Sequence, residues 1–124
     1  MVEDNDFNRI VAEDTIHEYL QNITIDAAVN GVEAVDQVNA TLYDLILMDI
    51  QMPEMDGYEA TRRIRQLDGD KKKTPIMAMT ANATPEEINK CFESGVDEYI
   101  SKPFVPDELF RKMAKLLKKI ASMF

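Results

Sequence analysis

The feature that most limits the fold of this chain is a regular alternation of short apolar runs with helical stretches. Residues 45–48 and 76–79 are continuous apolar runs, which are typical of strands covered on both faces. Between them, residues 57–67 place apolar side chains at helical spacing, with basic residues on the other side. Because this alternation joins neighbouring strands through helices, it predicts a parallel sheet with helices on both faces.

The remaining predicted elements continue this pattern. Three more strands are predicted around Val2, at 23–29 and at 99–101, and four more helices at 6–20, 32–38, 84–94 and from Pro106 onward. At the fourth helix, Thr84 suits the N-cap, Pro85 the first turn, and Glu87 completes a capping box. Gly95 suits the end of that helix. The predicted fold is therefore α/β, a doubly wound five-stranded parallel sheet with five helices.

Length, charge and cysteine content narrow the classes of function. The 124 residues fit one domain that needs no disulfide bonds, and the net charge of −9 disfavours nonspecific nucleic-acid binding. No helix-turn-helix follows the final predicted helix, and no apolar run approaches the roughly 18 residues needed to cross a bilayer. The single cysteine, Cys91, cannot form an internal disulfide, which favours a reducing, cytoplasmic setting.

Polar side chains stand where the predicted strands end. Glu3 and Asp4 follow the first strand, and Asp49 follows the third. Thr80 follows the fourth strand, and Lys102 follows the fifth. Because the carboxyl ends of parallel strands form the ligand-binding edge of such sheets, we expect these five side chains to converge. Three neighbouring carboxylates favour a divalent cation such as Mg²⁺ or Mn²⁺, and an adjacent hydroxyl and ammonium favour a phosphoryl group.

Four segments of the chain, in order, resemble the receiver domain of two-component response regulators. They are residues 2–5 (VEDN), 45–57 (LILMDIQMPEMDG), 79–83 (MTANA) and 99–104 (YISKPF). The resemblance covers essentially the full length, and four such motifs at suitable spacing are highly specific. It implies a flavodoxin-like fold with strand order 2-1-3-4-5 and a single receiver domain over residues 1–124.

The resemblance implies an acceptor residue and a metal site. Asp49 would accept a phosphoryl group from a phosphohistidine on a histidine kinase or a histidine phosphotransfer domain. Glu3 and Asp4 would hold Mg²⁺, directly or through water, together with Asp49 and the backbone carbonyl of Gln51. The domain would then support Mg²⁺-dependent self-phosphorylation and autodephosphorylation.

The resemblance also assigns the residues that respond to phosphorylation. Thr80 and Lys102 would bind the phosphoryl oxygens, and Tyr99 would turn inward when Thr80 moves. Gln51 and Asn82 would flank the phosphoryl group and tune its spontaneous hydrolysis. The helix at 84–94, the last strand and the final helix would change shape together, and this face (residues 84–120) is a candidate surface for a homodimer or another partner. The bond between Lys102 and Pro103 is expected to be a cis peptide.

Two contexts for such a domain stay open. The chain is either a free single-domain regulator or a receiver from a longer protein, and residues 48–57 and 79–83 look more like receivers of hybrid histidine kinases. Only Met1 and Val2 precede Glu3, whereas receivers usually have several apolar residues there. The first strand is therefore expected to be short, which indicates an excised segment or a missing start.

Two other functions compete with a phosphoacceptor. Dehalogenase-like phosphatases also form an aspartyl phosphate, but they need a second acid two residues after the nucleophile, and Gln51 holds that position here. A receiver that has lost phosphorylation would lack the acceptor, the acidic pair or the lysine, and this chain has all of them. Taken alone, Asp49 would be a turn or helix-cap residue and Tyr99 a core aromatic.

Overall fold

The computed structural model describes residues 1–20, 23–52, 55–103 and 105–121. Three parallel strands lie in the order β1 (Ile46–Asp49), β2 (Ile76–Thr80) and β3 (Glu98–Ser101). The helices of the described residues are α1 (Asp6–Tyr19), α2 (Gly31–Ala40), α3 (Gly57–Arg65), α4 (Pro85–Ser94) and α5 (Pro106–Ala121), with a 3₁₀ helix at Gly69–Lys73. None of these helices has both the length and the apolar composition needed to span a bilayer.

The side of the sheet next to β1 is built from single bridges instead of two further strands. Val2 pairs in parallel with Ala28 on one side and with Met48 on the other. The strand predicted at 23–29 is therefore reduced to one bridged residue. A strand needs hydrogen bonds along its length, and the described bonds between the two segments are few. The Met1 amino group donates to the Asp26 carbonyl, the Ala28 N–H donates to the Met1 carbonyl, and the Glu3 N–H donates to the Ala28 carbonyl.

Two apolar clusters cover the two faces of the sheet. On one face, Ile46 and Met48 of β1 pack with Ala60 and Ile64 of α3 and with residues of α2. On the other face, Leu47 packs with side chains from α1, α5 and the other two strands. Side chains of β1 alternate between the clusters as the period of a strand requires. The helices thus lie on both faces of a parallel sheet, and the predicted α/β architecture is confirmed at this level.

Helix α4 begins with half of the predicted capping box. The Thr84 hydroxyl accepts a hydrogen bond from the Glu87 N–H at 3.2 Å, so the N-cap is formed. The carboxylate of Glu87 does not return to the backbone of Thr84. It accepts instead from the hydroxyl of Tyr58 on α3, and the Thr84 N–H donates to the Asn82 carbonyl at 2.9 Å. The helix ends at Gly95 with φ at 113°, a left-handed conformation that favours glycine.

Arg65, the last residue of α3, links several segments through hydrogen bonds. Its guanidinium donates four hydrogen bonds of 2.7 to 2.9 Å, to the carbonyls of Gly95, Lys72 and Thr74 and to the Asp97 carboxylate. The same Asp97 oxygen accepts from the backbone N–H of Ile76 at 2.9 Å. This planar five-donor group therefore links the ends of two helices to the start of β2.

Candidate functional site

Three carboxylates meet at the carboxyl end of β1. Glu3 and Asp49 are buried, with 2% and 3% of their surface exposed, and Asp4 is exposed. Each offers one oxygen, and these oxygens lie within 4.8 Å of one another. The backbone places them, because Val2 accepts from the Asp49 N–H at 2.9 Å and donates to the Leu47 carbonyl at 2.8 Å. The predicted convergence of the three acids is thus observed.

Lys102, the residue that follows β3, joins this cluster. Its ammonium lies 3.0 Å from a Glu3 oxygen and 3.1 Å from an Asp49 oxygen. The Lys102 N–H donates to the Thr80 carbonyl at 2.7 Å, and the peptide bond to Pro103 is cis. The lysine therefore lies where it contacts two of the carboxylates at once.

Burial and neighbouring charges shift the pKa values of Asp49 and Glu3 in opposite directions. Burial raises the pKa of Asp49 to about 7, and its hydrogen bond to Glu3 acts in the same direction. Burial alone would raise the pKa of Glu3, but hydrogen bonds with Asp49 and Lys102 outweigh it and lower that pKa. Burial opposes the charge of Lys102 too, yet its bond to Glu3 and the field of Asp49 raise its pKa. Without a cation, Asp49 therefore keeps its proton to a higher pH than an ordinary aspartate does, while the pKa of Glu3 is lowered.

The donor set of the cluster fits a hard divalent cation. Buried oxygen Oε2 of Glu3 has no hydrogen-bond partner among the described residues, and such an orphaned atom costs free energy. The Gln51 N–H donates to Asp49 Oδ1 at 3.2 Å, which fixes the loop after β1 beside the cluster. Carboxylate oxygens with an open, water-accessible side at Asp4 are the ligands that Mg²⁺ prefers.

The raised pKa of Asp49 predicts how the stability of the metal-free protein depends on pH. Between about pH 4 and pH 7 the folded chain holds a proton that the unfolded chain releases, so raising the pH through this window weakens folding. In the presence of a chelator, we expect wild type to lose about 2 kcal/mol relative to Asp49→Asn between pH 5 and pH 8. Urea unfolding followed by circular dichroism measures this difference, and parallel pH profiles for the two proteins would contradict it.

Thr80 and its neighbours lie beside the cluster but are not part of its ion pairs. Thr80 is fully buried at the end of β2, and its hydroxyl accepts from the Asn82 N–H at 3.1 Å. Gln51 and Asn82 are exposed. The two exposed side chains are thus on the solvent side of the loops that carry Asp49 and Thr80.

Tyr99 contacts side chains of both α4 and α5. Its ring is half-buried and stands edge-to-face with Phe92 of α4, with ring centroids 6.3 Å apart. The ammonium of Lys112 on α5 lies 4.4 Å from the ring centroid and donates to the Tyr99 carbonyl at 2.6 Å. The ring therefore has contacts of its own with both helices as well as with the apolar core.

Two residues that shape the site have no assigned role in the sequence-based prediction. A Cβ atom at Gly57 would lie 2.4 Å from the Asp49 carbonyl oxygen, so only glycine lets α3 start this close to the acceptor. Arg9 donates to the Glu3 carbonyl at 3.4 Å and pairs with Asp6 at 2.9 Å. Arg9 is the only lysine or arginine among residues 1–60, and that isolation is the signal that the sequence offers.

The comparison with known families decides the identity of this fold and site. Residues 1–114 match the family model of the response regulator receiver domain. The chain is a member of that family. Receiver domains are the phosphoacceptor modules of two-component signalling, and they work with histidine kinases or phosphotransfer partners. The prediction made from the four motifs is therefore confirmed.

This receiver domain is similar both to free regulators and to parts of large kinases. It is 41% identical over 117 residues to the two-component response regulator ORR41 of Oryza sativa subsp. japonica, covering 93% of this chain and 90% of that protein. It is 43% identical over 103 residues to hybrid signal transduction histidine kinase G of Dictyostelium discoideum, covering 83% of this chain but 3% of that protein. The chain thus spans most of one relative and a small part of the other.

A solved receiver domain has the same fold. The receiver domain of sensor histidine kinase PA1611 from Pseudomonas aeruginosa PAO1 superposes with a TM-score of 0.86 at 35% identity, covering 94% of this chain and 93% of that one. That structure is described with a magnesium ion coordinated in the active site cleft. The flavodoxin-like receiver architecture of this chain is thereby established.

Proposed function

We propose that Asp49 is the phosphoacceptor, which receives a phosphoryl group from a phosphohistidine on a histidine kinase or a histidine phosphotransfer protein in the cytoplasm. The observation that carries this proposal is the contact between the buried Asp49 carboxylate and Lys102, 3.1 Å apart beside two further acids. In the transfer, the bond from phosphorus to the imidazole nitrogen breaks as a bond from phosphorus to an Asp49 oxygen forms. The product is an acyl phosphate on Asp49 and a free histidine on the partner.

The same proposal assigns the metal ligands. Glu3, Asp4 and Asp49, together with the backbone carbonyl of Gln51, would hold Mg²⁺, and the oxygen ligands would also accept Mn²⁺. The bound cation supplies neutralisation of the charge that gathers where phosphoryl and carboxylate oxygens meet. The support lies in the orphaned Glu3 oxygen and in the short separation of the carboxylates.

The neighbouring side chains would bind and protect the phosphoryl group. Lys102 already contacts the Asp49 oxygen, so its ammonium can bind a phosphoryl oxygen with little rearrangement. The Thr80 hydroxyl would donate to another phosphoryl oxygen by leaving its present bond with the Asn82 N–H. Gln51 and Asn82 are exposed on the loops that follow Asp49 and Thr80, where they would control the approach of water to the acyl phosphate.

The added charge would also change the shape of a distant face. A phosphoryl group brings about 1.5 to 2 negative charges to one point, and Thr80 with the loop after it would move toward them. Tyr99 would then turn inward, away from its present contacts with Phe92 and Lys112. The surface formed by α4, β3 and α5 within residues 84–120 would differ between the two states, and a homodimer or another partner would bind it.

The full sheet is proposed to have five strands in the order 2-1-3-4-5 within a single receiver domain over residues 1–124. Support comes from Val2, which bridges Ala28 on one side and Met48 on the other and so lies between these two segments. Both a free regulator and a receiver within a hybrid kinase agree with the relatives at 90% and 3% coverage.

Intact-mass spectrometry after incubation with acetyl phosphate tests the proposed function. With Mg²⁺ we expect the mass of one phosphoryl group to be added, and with a chelator we expect no addition. Peptide mapping should place the group on Asp49. A folded chain that gains no phosphoryl group with Mg²⁺, or that carries it on another residue, would overturn the proposal.

A further inference from the structure

A continuous chain of hydrogen bonds joins helix α3 to Thr80. The Tyr58 hydroxyl donates to the Glu87 carboxylate, and the Glu87 N–H donates to the Thr84 hydroxyl at 3.2 Å. The Thr84 N–H then donates to the Asn82 carbonyl at 2.9 Å, and the Asn82 N–H donates to the Thr80 hydroxyl at 3.1 Å. The chain therefore runs from the side of the core helix α3, through the first turn of α4, to the hydroxyl assigned to the phosphoryl group.

The Glu87 carboxylate has two alternative hydrogen-bond partners. Its present partner is the Tyr58 hydroxyl, which belongs to a different helix. Its position three residues after the N-cap Thr84 also matches a capping box, in which the carboxylate accepts from the backbone N–H of the cap residue. That N–H is now occupied by the Asn82 carbonyl, so the second arrangement requires a shift of the loop between β2 and α4.

The environment of Tyr58 stabilises its hydrogen bond to Glu87. Both side chains are half-buried where α3 and α4 face each other, and Cys91 is fully buried one turn further along α4. Burial raises the pKa of Tyr58, and the hydrogen bond to Glu87 raises it further, so the hydroxyl remains a donor. A hydrogen bond to a charged group is stronger than one between neutral groups.

We propose that Tyr58 and Glu87 are positioning residues that hold residues 80–84 in the resting arrangement. The proposal rests on the proposed function, because it assumes that Thr80 moves when Asp49 is phosphorylated. When the Thr80 hydroxyl turns to a phosphoryl oxygen, the Asn82 N–H loses its acceptor and the loop shifts. The Thr84 N–H is then released from Asn82, and Glu87 leaves Tyr58 to accept from it. The resting state is thus stabilised by one partner of Glu87 and the active state by the other.

The substitution Tyr58→Phe removes the resting partner and leaves the capping partner in place. The chain should then bind beryllium trifluoride, a tetrahedral phosphoryl mimic, about tenfold more tightly in the presence of Mg²⁺. Glu87→Ala removes both alternatives, so it should change the affinity much less than Tyr58→Phe. In ¹⁵N spectra of the unliganded 124-residue protein, Tyr58→Phe should shift the amides of Asn82 and Thr84, which lie beyond its own contacts.

Tyr43→Phe is a matched control for the loss of a hydroxyl. The Tyr43 hydroxyl donates to an Asp26 carboxylate oxygen at 2.6 Å. Tyr43 precedes β1, whose opposite, carboxyl end carries Asp49. This variant should lose stability in urea as Tyr58→Phe does, but it should bind the mimic with wild-type affinity. The paired variants therefore separate a general loss of stability from a change in the resting state.

The possible failures are distinguishable. If wild type binds the mimic and Tyr58→Phe binds it equally well, the positioning role is wrong and the proposed phosphoacceptor function stands. If Tyr58→Phe and Tyr43→Phe change the affinity equally, or if Glu87→Ala matches Tyr58→Phe, the two-partner account of Glu87 is wrong. If wild type takes up neither mimic nor phosphoryl group, the proposed function fails, and the positioning role fails with it.

Discussion

Replacing Asp49 by asparagine should abolish phosphoryl uptake and leave the fold intact. The amide has nearly the shape of the carboxylate but is not a nucleophile toward phosphorus, so the acyl phosphate cannot form. The substitution also removes one of two buried, neighbouring carboxylates, whose crowding contributes to the pKa of about 7 at Asp49. We therefore expect the variant to be at least as stable as wild type in urea when a chelator is present.

The assay for Asp49→Asn is intact-mass spectrometry with acetyl phosphate and Mg²⁺, beside circular dichroism of the same sample. Asp44→Asn is a suitable control, because Asp44 is exposed and precedes β1 at the end away from the acidic cluster. This control should gain a phosphoryl group to the wild-type extent. Uptake by Asp49→Asn at the wild-type level would refute Asp49 as the acceptor.

Gly57→Ala should destabilise the protein by about 3 kcal/mol, at the upper end of the range for overpacked sites. The added Cβ would lie 2.4 Å from the Asp49 carbonyl oxygen and 2.7 Å from the Ile50 Cα. Both are backbone atoms at the end of a buried strand, so no flexible side chain can move aside. The Gly57 N–H also donates to the Ile50 carbonyl at 2.9 Å, which holds α3 and the strand end together.

Urea unfolding followed by circular dichroism measures the effect of Gly57→Ala. Gly69→Ala is the control, since Gly69 has φ at 71° but no atom within 4 Å of an added Cβ. We expect the control to lose about 1 kcal/mol from backbone conformation alone. A loss at Gly57 no larger than that at Gly69 would show that the close approach to β1 carries no cost.

The strands and helices that carry the site follow from local signals. Continuous apolar runs predict β1 and β2 because a strand buried on both faces has no polar side. The start and end of α4 follow from Thr84 and Gly95, whose effects on the backbone are local. Of the strand predicted at 23–29, the structure describes only the bridge between Ala28 and Val2, because pairing depends on a neighbouring segment that local patterns do not describe.

The convergence of the charged side chains at the candidate site could be predicted, but their internal arrangement could not. Strand ends bring Glu3, Asp49 and Lys102 together in any parallel sheet of this order, so their convergence could be inferred. The burial of Glu3 beside an exposed Asp4 could not be inferred, because neighbouring residues of like charge carry the same sequence signal. The bond between Tyr58 and Glu87 joins residues 29 positions apart, and it displaces the local capping pattern that the sequence predicts.

The bonds of Arg65 set the kind of motion that α4 can make. Gly95 and Asp97, just after the carboxyl end of α4, are fastened to α3 and to the start of β2 through its guanidinium. The amino end of α4 is linked to α3 through the hydrogen bond between Tyr58 and Glu87. In the proposed active state, Glu87 leaves this bond for the Thr84 N–H. A helix that is held at its carboxyl end and released at its amino end rotates about the held end and does not slide along its axis. We therefore expect α4 to rotate about its carboxyl end near Gly95. The largest displacement is expected in its first turn, which lies nearest the phosphoryl group.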